Sequence, residues 1–164
     1  MYTFVSILAT ENNTTVSFSD IKTGVQLVNN ASVGNTPPNI VLNAGESYIM
    51  AAQGPLVANK DGLIGSLVTS DKPIVVNCGS MGGTNGENSG NMDYGVDQIV
   101  SAERTGTDYI FIKSNGQDNV ERVLLVADVD NTQIFVNGST TPNYTLNHGE
   151  YICLTGNSYN SLGN

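Results

Sequence analysis

Short apolar runs alternate with polar turns along most of the chain, and within the runs the apolar positions recur with a period of two. Residues 2–10 place Tyr2, Phe4, Ser6 and Leu8 on one face and Thr3, Val5, Ile7 and Ala9 on the other. Apolar groups on both faces predict a strand buried on both sides for much of its length. Glu11-Asn12-Asn13-Thr14 is a turn by residue type, because Asn tolerates left-handed backbone and its side chain bonds nearby main chain. Residues 15–18 then return as the second strand of a hairpin. Residues 25–28 predict a short strand, and residues 29–39 a loop ending in Pro37-Pro38. Residues 40–42 and 47–51 flank the turn Asn43-Ala44-Gly45-Glu46, with its glycine where a positive φ is expected.

Two β-branched runs, 63–69 and 73–78, enclose Ser70-Asp71-Lys72. This is a hairpin signal. Lys72 precedes a proline and is pushed toward extended backbone, while Pro73 can open a strand because its missing N–H matters little there. Residues 79–95 lack apolar periodicity and predict a long Gly/Asn-rich loop, which at this length in a compact domain is either functional or mobile. Strand signals resume at 96–100, 109–113, 122–127, 132–136, 144–146 and 151–154. No 3.6-residue stripe lasts the length of a helix. The predicted fold is all-β, an antiparallel sandwich-like domain built from two related β-hairpin repeats, with propeller-like blades as the alternative.

The repeat is visible in the residues. Ala9-Thr10-Glu11-Asn12-Asn13-Thr14-Thr15-Val16 returns as Ala127-Asp128-Val129-Asp130-Asn131-Thr132-Gln133-Ile134, an offset of 118. Leu42-Asn43-Ala44-Gly45-Glu46 returns as Leu146-Asn147-His148-Gly149-Glu150, an offset of 104. The halves are 1–80 and 109–164, joined by the loop 79–95 and a strand segment 96–108. The second half has no counterpart of the Ser-Asp-Lys-Pro hairpin. The chain is therefore expected to be a single β-rich domain, or a fragment of one that continues past Asn164 and is trimmed at Met1.

Composition narrows the function classes. Charged residues make up only 13%, so polarity rests on Asn, Ser, Thr and 18 glycines, which suits sheet and turns better than helix. The net charge of −9 sets nucleic acid and anionic membrane surfaces aside as partners. No apolar run approaches the roughly 20 residues of a membrane-spanning helix, and no basic stretch precedes an apolar one at the start, so if the protein is secreted its signal is expected to lie outside this sequence. Cys78 and Cys153 are too few for a disulfide scaffold or a cysteine metal site and are read first as buried free thiols.

ILATENNTTVSF, LNAGESY, GSLVTSDKPIVVNCGS, DYGVDQIV, VLLVADVDNTQIFVNG and LNHGEYI, in that order over nearly the whole chain, resemble the IgGFc-binding protein N-terminal domain family. The nearest resemblance is to large secreted proteins of Bacteroidetes-type bacteria. It implies a non-catalytic extracellular or cell-surface module for adhesion, binding a protein or glycan on a host or environmental surface. The alternatives are a building block of a surface fibre or multidomain stalk that binds neighbouring domains or copies, and a carbohydrate-binding module. The family pattern carries no catalytic residues. Asp93-Tyr94-Gly95 stands where the animal members have a cysteine and a histidine, so immunoglobulin binding is not carried over.

Candidate chemistry is sparse. Asp93, Tyr94, Asp97 and Gln98 form the candidate ligand site beside the Gly-rich loop, with Glu103 near it and Met81 and Met92 as adaptable contacts. Asp128, Asp130 and Asn131 have oxygens at spacings that could hold Ca²⁺, but lack the glycine and closing acid of an EF-hand, and read first as an Asx turn. Asp93 and Asp97 could serve as a glycosidase pair only at a fixed separation that a sequence does not give. His148 occupies the turn position of Ala44, and one histidine without Trp or a repeated aromatic platform is a poor start for acid–base catalysis. The chain is read as no enzyme, with no cofactor beyond the Ca²⁺ alternative.

Overall fold

The computed structural model describes residues 2–28, 37–54, 56–83 and 93–159. The chain divides into two units, residues 1–83 with 91–101 and residues 84–90 with 102–164. In the first, the strands are β1 (Tyr2–Ala9), β2 (Thr14–Ser19), β3 (Ile40–Leu42), β4 (Ser47–Gln53), β5 (Leu67–Ser70), β6 (Ile74–Gly83) and β7 (Asp93–Ile99). They form two antiparallel sheets, in the orders β4-β1-β6-β7 and β3-β2-β5. The fold is all-β and sandwich-like.

The core lies between these sheets. Val5, Ile7 and Ala9 of β1 meet Val16 and Phe18 of β2, Leu42 of β3, and Met50 and Ala52 of β4, with Val68, Ile74 and Val76 of β5 and β6 packed against them. Period-two alternation places these residues on one face of each strand, as a sheet buried on one side requires. β1 is thus buried on one face only. Phe4 and Ser6 on its other face are half-buried and Leu8 is 41% exposed, so the apolar residues on that side make a surface rather than a second core.

Residues 25–28 form no strand beyond a single bridge from Leu27 to Ala52. The main chain of Gln26 is engaged by a side chain instead. Buried Asn59 accepts from Gln26 N at 2.8 Å and donates to Gln26 O at 3.0 Å, standing in for the neighbouring strand. The loop expected over 79–95 is shorter than its composition suggests. β6 runs to Gly83 and β7 starts at Asp93, paired from Val76↔Ile99 to Gly83↔Asp93 with a register shift between Met81 and Gly83. Glycine permits this pairing, since a Cβ on Gly79 would lie 2.1 Å from Gly95 O and 3.1 Å from the Phe4 ring. Strands and ring close over Gly79 because it has no side chain.

The second unit contains β8 (Arg122–Val126), β9 (Thr132–Ile134), β10 (Tyr144–Leu146), β11 (Tyr151–Thr155) and one helical turn, α1 (Gly156–Tyr159). β8 pairs with β11, and β9 with β10. Val123, Ala127 and Leu154 are its buried apolar residues among those described. Residues 109–113, expected to be a strand, belong to none, and Ile110 and Ile112 are 92% and 89% exposed. Lys113 is held from its head rather than along its backbone, by Asp118 at 3.1 Å and Gly116 O at 3.0 Å. Among the described residues no helix is long and apolar enough to cross a membrane.

Candidate functional site

The outer face of the β4-β1-β6-β7 sheet, the side away from the core, is built by alternation. Opposite Val5 and Ile7 on β1 stand Phe4 and Ser6, and the register sets Phe4 beside Ala51 and Gly79, and Ser6 beside Ile49 and Asn77. Across β6, Gly79 faces Val96, Asn77 faces Gln98 and Met81 faces Tyr94. The result is a shallow depression of about 370 Å³ lined by Phe4, Ser6, Val28, Ile49, Ala51, Asn77, Met81 and Val96. Tyr94, 77% exposed, stands at its rim. Ile49, Met81 and Val96 are also each more than half exposed. Apolar side chains grouped in this way, with two amide or hydroxyl groups among them, are the ordinary material of a protein-contact surface.

Alternation separates the expected ligand residues. All four lie on β7, but Tyr94 and Gln98 project to the outer face with Val96, whereas Asp97 pairs with Cys78 on the core side of the sheet edge. Asp97 Oδ1 accepts from Gln98 N at 2.8 Å, a contact within the strand. Asp93 contributes the first residue of β7; its side chain and Met92 lie outside the described residues. The Cys78 thiol is raised above its ordinary value, chiefly by burial and further by the Asp97 carboxylate. Glu103 sits in a separate single turn, Ala102–Arg104. Phe4, Ile49, Ala51 and Val96 were not among the expected site residues. For Phe4 the signal is the apolar alternation on both faces of β1; Ile49, Ala51 and Val96 join it through the strand register.

Asp128, Asp130 and Asn131 lie in the β8–β9 turn, which is clasped to the β10–β11 turn. Asp130 Oδ1 accepts from His148 N at 3.0 Å, and Asn147 Oδ1 from Asn131 N at 3.3 Å. His148 Nδ1 lies against the Asp128 carbonyl. Asn131 has φ 58° and Gly149 φ 74°, the left-handed positions that close the two turns. Among the described residues no three His, Cys, Asp or Glu side chains are grouped to hold a metal ion.

The first unit has the same clasp. Asn12 Oδ1 accepts from Ala44 N at 3.1 Å and Asn43 Oδ1 from Asn13 N at 3.3 Å, with φ 54° at Asn13 and 82° at Gly45. Both clasps are tied to their strands alike: Gly45 N donates to Ala9 O and Gly149 N to Ala127 O, each at 2.9 Å.

Comparison with curated proteins and with solved structures returns no match. The family described as IgGFc binding protein matches residues 1–162, which spans both clasps, the Asp-Lys-Pro hairpin and the apolar sheet face. The chain belongs to the IgGFc-binding protein family, a family of binding modules.

Proposed function

We propose that the chain is a non-catalytic module of a large extracellular or cell-surface bacterial protein, and that it binds a protein partner through the outer face of the β4-β1-β6-β7 sheet. The observation that carries this reading is the exposed cluster of Ile49, Met81, Tyr94 and Val96 around the apolar depression. A single exposed apolar residue needs no explanation, but a contiguous group on one sheet face does. Tyr94 and Gln98 supply the polar rim, and among the described residues β7 is the last strand of the sheet beside it. Adhesion is the role such a face would serve in a long surface chain. A glycan-binding role is the second reading, with Tyr94 as the exposed aromatic on which a sugar ring would stack.

Surface plasmon resonance against immobilised immunoglobulin Fc and a glycan array, with the unmodified chain and Val96→Lys, tests this. Binding to protein that falls about tenfold or more with Val96→Lys, roughly 1.4 kcal/mol, supports the reading. Binding confined to glycans, or protein binding indifferent to Val96, overturns it. If Fc is not bound, self-association that Val96→Lys abolishes would favour a fibre or stalk building block.

A further inference from the structure

Across β1, β6 and β7 the register sets two rows side by side on the outer face. Phe4–Gly79–Val96 is apolar, and Ser6–Asn77–Gln98 is polar without charge. No residue that alternation puts on this side of β4, β1, β6 or β7 is charged, although the chain carries 6 basic and 15 acidic residues. Ser6 and Asn77 are half-buried and line the apolar depression. Among the described residues, neither the Ser6 hydroxyl nor the Asn77 carboxamide has a hydrogen-bond partner. A carboxamide has a donor and an acceptor side by side, the complement of a peptide group. Asn59 shows the use of one, accepting from Gln26 N at 2.8 Å and donating to Gln26 O at 3.0 Å.

We propose that this face, the docking surface of the reading above on which the inference rests, takes an uncharged segment of a partner protein. One large apolar side chain of the segment enters the depression of about 370 Å³. Beside it, the Asn77 carboxamide hydrogen-bonds both ways to the segment's main chain, as Asn59 does to Gln26, with Ser6 as its neighbour. Charge decides the class of occupant. A charged segment would lose water here and find no opposite charge to replace it. A second copy would bring its own net charge of −9 against the first, which opposes association. An uncharged segment meets neither cost. Its apolar anchor matches Phe4, Ile49 and Val96, and its peptide groups match the half-buried amide that a purely apolar anchor would leave unpaired.

The test is selection of a random peptide library on the whole chain, with counter-selection on Val96→Lys. Enriched peptides should carry a large apolar residue and no charge around it, and the consensus peptide is then synthesised for titration. Asn77→Ala should weaken its binding about fivefold. Replacing the peptide's amide links beside the anchor by esters, one at a time, needs no change in the chain. One ester should weaken binding to the unmodified chain and have little effect on Asn77→Ala, because the two changes remove the same hydrogen bond. A charged consensus, or binding indifferent to Asn77→Ala and to every ester, overturns the inference; if Val96→Lys still abolishes that binding, the sheet-face reading stands without it. No enrichment over Val96→Lys overturns the inference as well, and if glycans bind the same chain, the occupant of the face is a sugar.

Discussion

Ile7 and Leu125 occupy corresponding positions in hairpins of the same register, yet Ile7 has no exposed surface and Leu125 is half-buried. The same holds for Thr14 against Thr132 and Val16 against Ile134. The clasps that hold the two frames do not differ in this way. Glu46 and Glu150 each accept at 2.7 Å from the N–H three residues earlier, at Asn43 and Asn147. Turn geometry is therefore set by the local residues whatever the depth of the core beside it. Burial is set by what else packs on the frame, and in the first unit that is Val68, Ile74 and Val76 of β5 and β6.

The sharpest way to break this comparison is to truncate the corresponding pair. Ile7→Ala should destabilise the chain by about 3–4 kcal/mol, since the site is fully enclosed and cannot collapse freely. Leu125→Ala should cost roughly half as much, because part of its surface is already in water. Urea unfolding of the two variants measures both. Equal costs would mean that Leu125 is as enclosed in solution as Ile7, and the difference between the units would disappear.

Much of this was legible in the residues, and the failures have physical causes. The turns were readable because Asn13, Asn131, Gly45 and Gly149 are the residue types that adopt a positive φ. The β5–β6 hairpin was readable because Asp-Lys-Pro interrupts two β-branched runs. The strand through Gly79–Gly83 was not, since Gly79 serves the close approach of β7 and the Phe4 ring, a tertiary fact with no local signature. Residues 25–28 misled because Asn59, 33 positions away, takes the hydrogen bonds a strand would have used. The candidate site was half legible. Tyr94 and Gln98 do lie on the apolar face, but alternation along β7 turns Asp97 away from them.

A smaller effect sharpens the comparison at the clasps themselves. Asn12→Ala and Asp130→Ala remove corresponding acceptors, of Ala44 N and His148 N. Each should cost about 1 kcal/mol, the usual worth of one such hydrogen bond. Lys72→Ala should add no more than about 0.5 kcal/mol in the first unit, as its contact with Asn12 O is exposed to solvent. The midpoints of thermal unfolding compare the three. A cost confined to one unit would show that the two turns, alike in geometry, are not alike in energy.

The two cysteines give the finest contrast, because both are free and they differ in surroundings. Cys153 is exposed on β11, while Cys78 is half-buried on β6 beside Asp97. Cys153 should therefore be alkylated first at neutral pH. The profile of Cys78 should lie above the ordinary thiol value of 9.0, and Asp97→Asn should lower it only in part, since burial is the larger cause. The sign for stability follows from the proton count. Above 9.0 the unfolded chain gives up the Cys78 proton while the folded chain keeps it, so raising the pH favours unfolding there. The contribution is full below 9.0 and is lost as the pH rises through the folded thiol's higher value. Cys78→Ala should remove this component of alkaline destabilisation, and an unchanged slope in the variant would place its origin elsewhere.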